Sequence, residues 1–140
     1  MLFVIGGLFG WIGGGLFGLA LSDRADNPAP WHSLIVEMVA GGLLFYFFII
    51  REFEWLMTPP RGEEWAACLG MAVAMTWFLL RNNHRAPVRV AFFAAMGAGF
   101  GFAFGNFLQV MGQSVGIEGL NLWNVMEYSI GFFGGAGMAY

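Results

Sequence analysis

Residues 88–112 read VRVAFFAAMGAGFGFAFGNFLQVMG, and residues 121–140 read NLWNVMEYSIGFFGGAGMAY. Each run approaches or exceeds the ~20 apolar residues that a helix needs to cross the hydrocarbon core of a bilayer. Joined by a tight turn centred near Gly116, the two form an antiparallel hairpin with polar groups at matched depths. Asn106 falls level with Glu127, and Gln109 falls level with Asn124 nearer the turn. Asn106 and Gln109 are three residues apart, as are Asn124 and Glu127, so each pair shares one helix face.

Glu127 lies about six residues into its span, roughly 9 Å along the axis. An ionised acid deep in a bilayer costs on the order of 3 kcal/mol on insertion scales, so it needs a partner, a proton or water. Asn106 is placed to donate to it, with Gln109 and Asn124 as a second rung. Tyr128 and Ser129 add hydroxyls nearby. Two readings follow. The acid and the amides bond one another across the hairpin, contributing roughly 1 kcal/mol or less per bond, or they form a site that also meets a solute, an ion or a proton.

The composition agrees with a membrane chain. Of 140 residues, 59% are hydrophobic and 11% charged, against roughly 25% charged in soluble domains, and mean hydropathy is +0.68. The net charge of −3 argues against nucleic acid as a partner. A single cysteine, Cys68, offers neither a disulfide framework nor a thiolate metal site. No histidine pair stands at metal-ligand spacing, and GAGFG lies inside a spanning run rather than between a strand and a helix, so it is no dinucleotide fingerprint. No cofactor or metal is expected. The opening MLFVIGGLFGWIGGGLFGLAL has no basic leader and does not read as a cleavable signal peptide. Tyr140 closes an apolar run without a polar tail, so the chain is expected to be a fragment or an excised domain of a longer membrane protein.

The expected fold is all-α, a polytopic helical membrane bundle forming one transmembrane domain over 1–140. It has about five spans, near 2–21, 31–50, 64–80, 88–111 and 121–140. Pro30, Pro59 and Pro87 each precede an apolar run, where the missing N–H of proline costs nothing. Thr58 and Asn121 are candidate N-caps for the third and fifth helices. The second helix is expected to run on into REFEW before Thr58, Pro59 and Pro60 stop it. All six cationic residues are arginine. Arg24, Arg81, Arg85 and Arg89 lie on one side, Arg51 and Arg61 on the other. The positive-inside rule then puts the N-terminus outside, in a plasma membrane or bacterial inner membrane. Trp31, Trp55, Trp65 and Trp123 fall near span ends, as interfacial aromatics do.

Glycines recur every fourth residue at Gly6, Gly10, Gly14 and Gly18, at Gly97, Gly101 and Gly105, and at Gly131 and Gly135. Residues four apart share a face, so each series is a zipper along which another helix can come close. The first two helices resemble the last two. Gly15 to Glu37 and Gly105 to Glu127 have the same separation, although the first series itself carries Gly14. Glu37 and Glu127 are each followed four residues on by glycine. A unit of three helices would then repeat in inverted orientation, a 3+3 plan known from transporters, with the last helix missing.

Glu37 has Ser33 as its local polar neighbour at helical spacing. Unless the third helix or a partner chain supplies a donor, it is expected to be protonated. Glu37 and Glu127 would lie some 10 Å apart in depth, staggered as in a relay. His32 and His84 belong to the border of the membrane. Arg81, Arg85 and Arg89 read as headgroup anchors.

The leading functional expectation is a transporter or channel-like domain moving a small polar solute or cation, with or without proton coupling. Glu127, Asn106, Gln109, Asn124 and Glu37 would bind it. The alternative is a non-catalytic anchor or assembly subunit that packs through its glycine zippers against copies of itself or other membrane subunits. An intramembrane enzyme acting on a lipid-linked substrate comes last, since no nucleophile or metal set is visible. The bilayer is the partner common to all three.

Overall fold

The structure is a computed structural model, and it describes residues 2–23, 28–56, 63–116 and 121–140. Those residues form five helices and no strand: α1 (Leu2–Ser22), α2 (Trp31–Phe45), α3 (Glu64–Arg81), α4 (Arg85–Val115) and α5 (Leu122–Ala139). Three of the helical stretches, Leu2–Ser22, Trp31–Glu52 and Arg85–Val115, are long and apolar enough to cross a membrane. At 18 residues each, α3 and α5 are only about 27 Å long.

Local chemistry sets the ends. Pro30 is the N-cap of α2, and Pro87 sits in the first turn of α4, where backbone N–H groups have no intrahelical partner. Gly116 ends α4 at φ 70°, ψ 36°, a left-handed cap that glycine adopts without a Cβ clash. Asn121 caps α5 by accepting from the Asn124 backbone N–H at 3.3 Å. Thr58, Pro59, Arg24 and Arg61 lie outside the described residues. Beyond Phe45 the second helix widens into π-helical turns over Tyr46–Glu52 and stops there, short of the rest of REFEW. Its last bonds run from Phe53 N–H to the Phe48 carbonyl at 2.9 Å and from Trp55 N–H to the Ile49 carbonyl at 3.0 Å.

Small residues decide which faces meet. Along α1, a Cβ added at Gly6, Gly10, Gly14 or Gly18 would strike Ala98, Ala94, Val90 or Pro87 of α4. Along α4, one added at Gly97, Gly101 or Gly105 would strike Phe133, Ser129 or Met126 of α5. The α2–α3 pair crosses at Gly41 and Gly70, each backed onto the other's carbonyl. Gly131 and Gly135 differ: a Cβ at either would meet nothing within 4 Å, and α5 approaches α4 through Gly134 and Gly137 instead. The rotation has a physical reason. Gly131 and Gly135 share their face with Glu127, so turning that face inward would bury a carboxylate.

A core of Leu19, Leu34, Met38, Met75, Phe78 and Leu79 joins α1, α2 and α3. The α1–α2 connection is held by Asp23, which accepts from the Ala29 N–H and from Trp31 Nε1, both at 2.7 Å. The two helix pairs likened to each other by sequence are packed differently. Among the described residues α4 and α5 adjoin along their length, whereas α1 and α2 have no close backbone approach. The close α1–α4 approach ends near Gly99, which backs onto Phe3, and Phe102, which meets Gly6. From there α4 continues to Val115, about 20 Å further, beside α5.

Gly10→Leu should lower the thermal stability of the detergent-solubilised protein by at least the 1–3 kcal/mol typical of overpacking. Gly131→Ala should instead leave it unchanged or raise it by up to about 1 kcal/mol. Equal effects in thermal melts followed by circular dichroism would contradict the packing described.

Candidate functional site

Begin with α5. Burying Met126, Ser129 and Phe133 against the α4 glycines leaves Trp123, Glu127 and Tyr128 exposed. Glu127 therefore turns away from α4 and accepts from Trp123 Nε1 at 2.7 Å, one helical turn back on its own helix. Asn106, half-buried on α4, donates to Gln109 Oε1 at 3.4 Å, and its amide lies 3.9 Å from Met126 Sδ. The backbone N–H of Asn124 is used in the N-cap. Ser129 Oγ donates to the Val125 carbonyl at 2.8 Å.

The expected rungs across the hairpin are thus not formed among the described residues. Asn106 and Gln109 are brought together, but along one helix. Glu127 is linked to neither of them, nor to Asn124. Gly105 backs onto Met126, one residue before Asn106 and Glu127, yet closeness along the axis does not set rotation. The Trp123–Glu127 spacing of four was visible in the sequence as a same-face pair.

Glu37 has the donor that the sequence left open. Arg81, at the end of α3, places Nη2 2.6 Å from Glu37 Oε1. Ser33 Oγ lies 3.2 Å from the same oxygen. The side chains are 27% and 47% exposed for Glu37 and Arg81, so the pair is half-wet and its net contribution is modest. The Arg81 guanidinium also lies 5.8 Å from the Phe78 ring centroid, a cation–π approach. Arg81 is therefore a helix-to-helix clasp as well as a cation at the end of the bundle. The acid and the arginine come from different helices across a long connection, so nothing local in the sequence paired them.

Among the described residues no polar or charged residue is buried as a whole, although the Trp65 indole N–H is sealed off without a partner, and no group of three or more His, Cys, Asp or Glu is placed to hold a metal. A cavity of about 490 Å³ lies between α1 and α3, away from all five candidate residues. It contains a hydrogen bond that sequence reasoning missed, Trp11 Nε1 to Thr76 Oγ1 at 2.8 Å. Comparison with protein-family models, curated proteins and solved structures returned no match.

Glu37→Gln and Arg81→Gln should each lower stability in detergent. A double-mutant cycle should return a favourable coupling of about 1 kcal/mol or less, as for other half-exposed ion pairs. Strict additivity of the two losses would mean that the clasp contributes nothing.

Proposed function

We propose that this chain is a membrane-embedded assembly subunit, held in the bilayer by its apolar helices and joined to another helix through the uncovered face of α5. The membrane part draws support from the three helices of spanning length. It is also supported by the charge-free stretches 65–80 of α3 and 90–115 of α4, about 24 and 39 Å long. Large apolar side chains such as Phe107, Phe132 and Val36 stand exposed all around the helices, as they would in contact with lipid. In that frame Arg81, Arg85 and Arg89 lie at one boundary and Arg51 at the other. The positive-inside rule then favours an outer N-terminus. Glu127, one residue past the Gly105–Met126 approach, accepts from Trp123 on the exposed side of α5, a pairing that suits an interfacial acid and indole.

The observation that carries the assembly reading is the bare strip Gly131 and Gly135, open to at least 4 Å, on the same face as a carboxylate already bonded on its own helix. The other two glycine series are covered by helices of the same chain. An uncovered one is a zipper without its partner, and small residues at a helix surface are what lets a second backbone approach in lipid. That partner is a second copy or another membrane subunit. Transport of a small polar solute or cation competes with this reading. It needs a polar route between the helices, and the side chains buried among the described residues are not polar.

Gly131→Leu combined with Gly135→Leu should leave the monomer folded but abolish the larger species in gentle detergent, read by light scattering after size exclusion. Glu127→Gln should weaken recovery of that species and leave any flux in reconstituted vesicles unaltered. Loss of a pH-dependent uptake in the Glu127→Gln protein, with assembly intact, would replace the assembly reading by transport.

A further inference from the structure

An open apolar groove of about 490 Å³ runs between α1 and α3, away from the acids and amides of the candidate site. Val4, Leu8 and Trp11 line one wall; Val73, Thr76 and Leu80 line the other. The polar side-chain atoms of Trp11 and Thr76 are already engaged. Trp11 Nε1 donates to Thr76 Oγ1 at 2.8 Å, and Thr76 Oγ1 donates to the Ala72 carbonyl at 2.7 Å. The rest of the lining is almost wholly apolar, and a polar occupant would lose hydration with little compensation. From Leu69 to Leu80, both lining it, the groove runs about 16 Å along the helix axis. That is about half of a ~30 Å hydrocarbon core, the depth of one leaflet.

The two ends differ in charge. Leu80 is followed by exposed Arg81, and after a short turn by exposed Arg85 at the start of α4. Toward the Leu69 end the nearest charge on α3 is Glu64. The Arg85 guanidinium has no ion-pair partner among the described residues, and the Arg81 pair with Glu37 is through Nη2. A guanidinium carries five N–H donors, so Arg81 has donors left for an anion. We infer that the groove holds one acyl chain of an anionic phospholipid, with the phosphate against the Arg81–Arg85 end. A transmembrane helix fits it less well. Helices of this chain meet glycine to backbone, whereas these walls carry the bulky side chains of Leu8, Trp11 and Leu80.

The inference rests on the membrane part of the proposed function and not on its assembly part. The test is native mass spectrometry of the detergent-purified protein with phosphatidylglycerol or phosphatidylcholine of matched chains. The wild-type protein should retain one phosphatidylglycerol at least tenfold more strongly than phosphatidylcholine. A Cβ at Gly7 would sit 3.6 Å from the Ala95 carbonyl oxygen, an ordinary contact, so Gly7→Leu fills the groove without moving the backbone. It should cut retention tenfold or more. Arg85→Gln should keep the bound chain and lose the preference for the anionic headgroup. Val73→Trp fills the groove from its exposed wall and serves in place of Gly7→Leu if that variant does not fold. Unchanged retention in a folded groove-filling variant overturns the inference, as does equal retention of the two lipids by the wild type. Capture of a polypeptide rather than lipid by a photoreactive residue at Val73 also overturns it. Alkaline extraction separates the two claims. Release of the chain from membranes sinks the membrane reading itself, while a membrane-bound chain indifferent to Gly7→Leu sinks only the groove.

Discussion

Everything in this bundle hangs on how closely the backbone of α4 is approached from two sides. Its Ala91, Ala94 and Ala98 row takes the glycines of α1, and its Gly97, Gly101 and Gly105 row takes the backbone of α5. Where helices meet in an apolar medium there is no hydrophobic gain from hiding one apolar surface against another. Cohesion comes from dispersion and close approach, which need small residues. The three-helix unit is therefore as sensitive to an added methyl as a soluble core is to a lost one. Gly134 backs onto Ala98 and Gly137 onto Phe93 and Ala94, so the two rows are not independent. A change that pushes α1 outward is felt by α5 through two shared alanines, Ala94 and Ala98.

The two acids among the helices are handled by different means. Glu37 is met by a cation from a neighbouring helix and a hydroxyl from its own. Glu127 is met by an indole one turn away. Neither is sealed from solvent, so neither carries the large desolvation cost that a buried ion incurs. The apolar interior is left to close packing, and ionic chemistry is kept to its rim.

Much of the architecture could be read before any coordinates. Pro30, Pro87, Gly116 and Asn121 punctuate the chain by chemistry that acts within a few residues, so the helices begin and end close to where they mark. The glycines of α1 and α4 lie where those helices come close to their neighbours. Rotation of α5 was not legible, because Gly131 with Gly135 and Gly134 with Gly137 are both plausible small-residue strips. The choice falls to Met126 and Phe133 filling the contact, and to Glu127 staying out of it. The partner of Glu37 was hidden for another reason: it depends on how α2 and α3 lie across a long connection. The role of Asp23 in tying that end together was masked by its position in a polar loop.

The order of partners in space is not the order of helices along the chain. Neighbours in sequence, α2 with α3 and α4 with α5, can zip together as soon as the second of each pair is made. By contrast α1 has its mate in α4, and two further helices must emerge from the ribosome first. In a chain inserted into the bilayer, as proposed above, its smooth flank lies open to lipid during that interval. Biogenesis, more than the finished bundle, is where this first helix is most exposed to mispairing.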